Sequence, residues 1–578
     1  MKFKYEKCGK GLGFSNILNT LLKNRGVENP NSFLNLNDNV IEDFNNYDNI
    51  SVAGYTLLNH LEKESNIIIV VDNDLDGFTS ATLMYKYIKD LKPSIEIKYL
   101  VHKNKAHGLT KEMMNDIENI PCDLIILPDA SSNDYLQHKT LLDKGIDVLV
   151  LDHHQCDRYS PYACVVNNQM SKNIKNKSMT GVGVVYKFCK WLDNELKLNL
   201  VDKYIDLFAL GMIGDSADLR DLESRYLVLK GLKEIENKTN KNKLISKIYE
   251  SKSYNMNNRC TITGMAFYMC PTINCIIRGG DETIKSILFK AFIGTNDRFV
   301  DKIRGKGEVE MSAEEYVLRL YTKLKKQQDK IADNGVELIS KQIEDFKLNN
   351  YEIIIANGNQ IEDSTYNRLV VNKISSKYNK HVLLLTDVNG ELKGSGTGAK
   401  NKEISDFRKW CELTGLFNFC AGHPSAFGCS IPMYNINNLY SLVSTIPSSD
   451  LLVYQVDEIY NEKTLNKSIV SLVGSYDDIW GNKLDEPKFA IEDLIITSKD
   501  ISLMGKNKTT IKFVCNGVEF IKFKASEEEY NDIIKNENNK FTIIGRFKVN
   551  EYNGNKSPQI LIEDYTFEAT QKEKKFIF

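Results

Sequence analysis

No C-x-x-C pair occurs among the 12 cysteines of this 578-residue chain. The closest neighbours, Cys270 and Cys275, have no matching His/Cys cluster, which argues against a zinc knuckle. Unpaired cysteines scattered through a chain of this size read as reduced core thiols in a cytosol. Long apolar runs are missing too. None approaches the ~18 residues of a membrane span, and the opening MKFKYEKCGKGLGF has no apolar core of signal-peptide length. The expectation is a soluble, cytoplasmic protein with no membrane contact. Excess charge is also absent: 75 Lys and Arg stand against 77 Asp and Glu, for a net charge of −2. Any nucleic-acid surface must therefore be local, with acidic regions balancing it. No internal repeat or low-complexity tract occurs.

The chain is too long for one core, and domain-size priors suggest about three to four units. Residues 15–65 read as helical, with a break at Arg25–Pro30. Apolar runs at 66–71, 95–101, 122–129 and 147–154 then alternate with helical segments such as 80–91. This β-α-β rhythm predicts a parallel sheet covered by helices on both faces, with ligands beyond the carboxyl ends of its strands. Residues 178–345 read as mainly helical, and 312–346 as a long connecting helix. A second α/β pattern starts at YEIIIANG (351–358), and from about 467 strands dominate, spaced as in a small β-barrel. The resulting limits are a helical segment 1–50, an α/β core 51–240 with helical part and connector 241–346, a second α/β domain 347–440 and a β domain 450–570.

The apolar run IIIVV ends in DNDLDG, which brings Asp72, Asp74 and Asp76 close together. Two further apolar runs end at Asp129 (LPDA) and at Asp152, His153 and His154 (LDHH), and an apolar helix closes on Asp215. In an extended segment alternate side chains point the same way, so Asp72, Asp74 and Asp76 can converge. A single Asp after a strand is usually a helix cap or turn residue, and Asp134 and Asp157 are read so. Carboxylates at four chain positions, joined by imidazoles at one sheet edge, would repel one another unless cations sat among them. Oxygen-rich donors with one or two imidazoles suit Mn2+ or Mg2+ better than thiolate-held zinc, and there are enough carboxylates for two ions.

In that order and near those separations, DNDLDG, LPDA, LDHH and ALGMIGD resemble the four motifs of the DHH phosphoesterases, and within them the RecJ-type single-strand exonucleases. PTINCIIRGGDE (271–282) resembles their segment carrying an Asn and an Arg, here Asn274 and Arg278. AHGL (106–109) resembles a Gly-Tyr-Gly-Leu loop, with His107 in place of Tyr. GSGTGA (394–399) and CAGHPSAFGCSI (420–431) resemble the DHH-associated domain, with Ser395, Gly422 and His423 at nucleic-acid-binding places. DDIWGNKLDEPKF (477–489) and NEYNGNKSPQILIED (550–564) resemble the start and end of an OB-type domain.

The resemblance implies that Asp74, Asp76, Asp129, His153 and Asp215 are metal ligands, with Asp129 bridging two ions and Asp72 in support. It implies that His154 meets the scissile phosphate beside Arg278. Asp152 either orients a neighbouring imidazole or is a plain structural residue. The implied activity is exonucleolytic hydrolysis of single-stranded DNA, 5′ to 3′, to 5′-mononucleotides, in repair, recombination or replication. A single strand would thread a groove between the core and the associated domain. A single-strand-binding protein or a helicase is the implied kind of protein partner. Two readings compete: a phosphodiesterase of short oligonucleotides or cyclic dinucleotides, and a non-catalytic replication factor. The C-terminal OB-type bracket argues against the first and the full set of ligand positions against the second. The departures fall on strand-gripping loops: Ala421 where Gly is usual, Thr397 for an Arg (with Lys400 a substitute), and Asn367 and Arg368 at a Gly-rich turn. Phe513, Phe520 and Phe523 read as core before stacking platforms, and Lys506 and Lys508 as a solvated face before phosphate contacts.

Overall fold

The computed structural model describes residues 3–9, 11, 16–103, 106–400, 402–449, 451–505, 507–552 and 554–570. They form two compact units: Gly26–Lys325 with Asp478–Asp485, and Met1–Arg25 with Lys326–Asp477 and Glu486–Phe578.

The first unit is built on five parallel strands, β1 (Ile67–Val71), β2 (Ile97–Val101), β3 (Leu124–Pro128), β4 (Asp147–Asp152) and β5 (Cys164–Asn167), in the order β2-β1-β3-β4-β5. Every residue of β1 and β3 is buried, as a sheet covered on both faces requires. The period of two divides them between two cores. Ile67, Ile69, Val71, Leu124 and Ile126 join helices α1 (Leu75–Leu91), α2 (Gly181–Leu196) and α3 (Ile205–Gly214) on one side. Ile68, Val70, Ile125 and Leu127 meet Met113, Ile117 and Leu141 on the other. Helix α4 (Cys270–Gly279) packs against α1 and α3.

The helical reading of 178–345 needs one correction. Arg298–Ile303 and Gly307–Ser312 pair as an antiparallel hairpin. Burial alternates residue by residue along its first strand, and Gly305 and Gly307 take the left-handed conformation at its turn. The long helix follows at Ala313–Asp345. The break at Arg25–Pro30 also holds, because Pro30 opens the helix Pro30–Leu34.

In the second unit, Ile353–Asn357 and His381–Val388 are parallel, and Glu391–Thr397, Ala426–Pro432 and Phe419–His423 extend their sheet antiparallel. The C-terminal sheet has seven strands, bent where the register shifts between Ile491 and Leu494 and between Ile544 and Gly545. Phe3–Lys7 pairs parallel with Leu452–Val456, a pairing that the sequence does not signal. All 12 cysteines are free thiols. Among the described residues no helix is long and apolar enough to cross a membrane.

Candidate metal centre

In the strand order β2-β1-β3-β4-β5 the direction of winding reverses between β1 and β3, and a crevice forms outside their carboxyl ends. Asp72–Asp76 follow β1 and Asp129 follows β3, on the two sides of that crevice. Asp152, His153 and His154 come from the end of β4, and Asp215 caps α3. The convergence of Asp72, Asp74 and Asp76 does not come from strand alternation as expected. Strand β1 stops at Val71 and α1 starts at Leu75. Asp74 is therefore the N-cap, accepting from the Gly77 amide at 2.9 Å, and Asp76 sits in the first helical turn.

Helix α2 supplies the next element. Its first two amides, Gly181 and Val182, donate to the two carboxylate oxygens of Asp76 at 2.6 and 3.1 Å. A Cβ on Gly181 would lie 2.2 Å from Asp129 Oδ1, and one on Gly211 2.3 Å from Thr79 Oγ1 and 2.7 Å from Asp76 Oδ1. Both helices can press against the carboxylates only because these positions lack side chains.

Asp129 is 1% exposed, its backbone is left-handed at φ +69°, and neither carboxylate oxygen accepts a hydrogen bond. His153 Nε2 lies 3.1 Å from Asp129 Oδ1. The same imidazole nitrogen lies 3.9 Å from Asp76 and 3.8 Å from Asp215. Donor atoms of Asp76, His153 and Asp215 fall within 4.8 Å of one another, as do those of Asp129, His153 and His154, and those of Asp72, Asp74 and His107. Sequence reasoning gave His107 no role. Its ring Nδ1 hydrogen-bonds Asp72, which also accepts from the Gly108 amide at 3.1 Å. An imidazole in the aromatic place of the AHGL loop was the available signal.

The electrostatics fit a bound cation. Burial, then the charges of Asp76, Asp74, Asp72 and Asp215, pushes the Asp129 carboxyl far above its usual range. Burial with Asp72 and Asp76 raises Asp74 to about 6, and burial with Asp76 and Asp74 raises Asp215 to about 8. Burial lowers the His153 imidazole and keeps it neutral, the form that ligates metals. His154 is different: the hydrogen bond from its Nδ1 to Asp152, at 2.8 Å, raises it to about 9 against a smaller opposing desolvation. Asp152 also accepts from the amides of His153, His154 and Ser132. Burial pushes its carboxyl up, but the His154 hydrogen bond and charge and the Ser132 bond hold it below the usual range. Of the two adjacent imidazoles, it is the ring of His154 that Asp152 hydrogen-bonds. An unpartnered buried carboxylate amid carboxylates and a neutral imidazole is a donor set that fits Mn2+ or Mg2+.

These shifts predict how metal-free protein responds to pH. A carboxyl raised on folding binds a proton that the unfolded chain has already released. Its contribution is complete below the ordinary 3.8 and is lost as pH rises through the raised value, about 8 for Asp215, with Asp129 raised in the same direction. The raised His154 acts in the same direction. In chelator, the melting temperature is expected to fall between about pH 7 and about pH 8.5, and saturating Mn2+ or Mg2+ to cancel most of the fall. Differential scanning fluorimetry checks this; a metal-induced rise that shrinks with pH contradicts it.

Asn274 and Arg278 lie one turn apart on one face of α4, and Arg278 is close enough to feel the charge of Asp74. Ser395, Gly422 and His423 belong to the other unit, on the strands Glu391–Thr397 and Phe419–His423. Thr397 is pinned, its hydroxyl donating to Asn372 at 2.7 Å, whereas Lys400 is exposed. Phe513 and Phe520 are core, stacked at 4.8 Å, but Phe523 is 57% exposed, against the core reading. Lys508 lies 3.7 Å from Glu527, and Lys506 falls outside the described residues. Asp134 stands before the helix Tyr135–Asp143 as expected, but its carboxylate accepts from the Leu109 amide at 2.8 Å and makes no cap bond.

A family model described as the DHH family, N-terminal domain, matches residues 66–212, and one described as the RecJ OB domain matches residues 461–564. A chain of Bacillus subtilis (strain 168), YorK, named as an SPbeta prophage-derived single-strand DNA-specific exonuclease, is 36% identical over 575 residues, covering 97% of each chain. The single-stranded-DNA-specific exonuclease RecJ of the same organism is 23% identical over 590 residues, covering 97% of this chain and 69% of that one. The crystal structure of RecJ in complex with Mn2+ from Thermus thermophilus matches with a TM-score of 0.74 at 16% identity, covering 98% of this chain and 80% of that one.

Proposed function

Because the chain belongs to the DHH family, in the branch of the RecJ-type single-strand-specific exonucleases, we propose that it degrades single-stranded DNA from the 5′ end, releasing 5′-mononucleotides. It is a metal-dependent phosphodiester hydrolase. The observation that carries the reading is Asp129: a carboxylate 1% exposed, held left-handed, with no hydrogen bond to either oxygen. Folding such a group is costly unless a cation meets it.

Asp74, Asp76, Asp129, His153 and Asp215 would hold the divalent cations, with Asp72 and His107 beside Asp74. A bound cation there supplies a Lewis acid for a phosphoryl oxygen and acidifies a water. The amides of Gly181 and Val182 fix the Asp76 carboxylate, so its outward lone pairs are set before the metal arrives. His154, held as a cation by Asp152, and Arg278 face charge building on the phosphate. Asn274 positions the strand beside Arg278. Ser395, Gly422 and His423 bind nucleic acid on the other unit. The protein acts in the cytoplasm, in repair, recombination or replication, with a single-strand-binding protein or helicase as partner.

The test is digestion of a long single strand labelled at either end, with Mn2+ and with chelator. The expected result is mononucleotides from the 5′ label, abolished by chelator. Release from the 3′ label overturns the polarity, and preference for dinucleotides overturns the exonuclease reading.

A further inference from the structure

One more charged side chain reaches the metal centre, and it comes from far along the chain. The segment Asp478–Asp485 belongs to the core unit. It is fastened by the buried Trp480, whose carbonyl accepts from Thr263 Oγ1 at 3.0 Å, and by the Ile479 carbonyl, which accepts from Arg225 at 3.1 Å. Gly481 and Leu484 exchange backbone hydrogen bonds of 2.9 and 3.1 Å, which makes Asn482 and Lys483 the two central residues of a tight turn. Both are left-handed, at φ +42° and +71°. That is type I′ geometry, which Asn-Gly fills without strain. Asn suits the first position; a lysine at the second carries a conformational cost that glycine would not.

The turn clasps the residues on both sides of Asp215. Asn482 Nδ2 donates to the Ile213 carbonyl at 3.3 Å, and the Asn482 carbonyl accepts from the Leu219 amide at 3.3 Å. The next residue, Lys483, is thereby carried towards Asp215 and Asp218, and its charge pulls down on both carboxyls. Yet Lys483 is exposed, and among the described residues it makes no ion pair or side-chain hydrogen bond. Its ammonium stands free on the Asp215 side of the centre, and Arg278 stands near Asp74.

We propose that Lys483 is a phosphate-binding residue of the active centre, its ammonium meeting a phosphate of the DNA strand on the Asp215 side. The inference rests on the exonuclease reading. An anionic strand approaching six carboxylates needs cations besides the metal, and an ammonium on a flexible stem supplies a point charge to whichever phosphate oxygen presents itself. The strained turn is then the means of placing that charge.

The experiment compares wild type with K483M, K483G and K483R. Binding of a fluorescent oligothymidylate is followed in chelator over a range of salt, and turnover is followed with Mn2+. K483M and K483G are expected to bind several-fold more weakly at low salt. One lost phosphate contact flattens the slope of log affinity against log salt by about 0.7. With Mn2+, KM rises and kcat stays near wild type, while K483R retains both. K483G should also melt higher than wild type, because it removes the strain, so a folding defect cannot account for its weaker binding. Unchanged salt slope and KM in K483M and K483G overturn the proposal. So does a change confined to Mn2+ affinity, which would assign Lys483 to Asp215 alone. If wild type itself neither binds nor cuts a single strand, the exonuclease reading fails first.

Discussion

Replacing Asp129 by Asn is expected to leave a folded protein that digests single-stranded DNA about a thousandfold more slowly or worse. The amide keeps the size and shape of the carboxylate, and Asn tolerates the left-handed φ of +69° better than most residues, so the backbone has no reason to move. What is lost is the negative charge at a buried position whose oxygens have no hydrogen bond of their own. Calorimetric titration should show Mn2+ affinity falling with the rate. A second effect has the opposite sign. In metal-free wild type near pH 8 the raised Asp129 carboxyl works against folding, and the amide does not. The metal-free variant should therefore melt above metal-free wild type near pH 8. The gap should close on acidification, by at most about 1.4 kcal/mol per pH unit. Wild-type digestion by this variant with Mn2+ would remove Asp129 from the chemistry; equal melting curves in chelator would mean that its burial costs nothing.

Much of this site is legible in the sequence because a parallel sheet brings the ends of distant strands to one edge. The apolar runs IIIVV, LIILP and VLVL locate the strands, and the acidic residues behind them locate the edge. What contacts those carboxylates is far less legible. The cradle around Asp76 is two backbone amides of α2, and backbone amides have no residue-type signature. Gly181 and Gly211 look like ordinary helical glycines until a Cβ is placed against Asp129 and Asp76. The left-handed backbone of Asp129 leaves no mark in the letters LPDA. The hairpin Arg298–Ser312 leaves a weak one, since GEVEMS alternates with period two behind two glycines, but RFVDKI does not alternate and helical patterns flank both. GNKL carried the signal of a turn at the start of the OB-type bracket; nothing local said that it would fasten beside Asp215.

His154→Gln separates two roles that the geometry leaves to the same ring. His154 shares a ligand-distance cluster with Asp129 and His153, so as a neutral imidazole it could take a metal. Its Nδ1 is committed to Asp152 at 2.8 Å, however, and that bond raises it to about 9. Near neutral pH it therefore keeps its proton, and a protonated imidazole offers no lone pair to a cation. It is 55% exposed, whereas His153 is 16% exposed among the carboxylates. A cation in that place acts on charge that develops in the transition state, and its loss should lower kcat about a hundredfold to a thousandfold while KM and Mn2+ affinity change little. Asp152→Asn removes the partner that holds the proton, so it should give a smaller loss of the same kind, deepest at higher pH where the unassisted imidazole is neutral. Steady-state kinetics with Mn2+ titration distinguishes the roles. If the Gln variant loses metal affinity in step with rate, His154 is a ligand, and the positive charge facing the phosphate falls to Arg278 and Lys483.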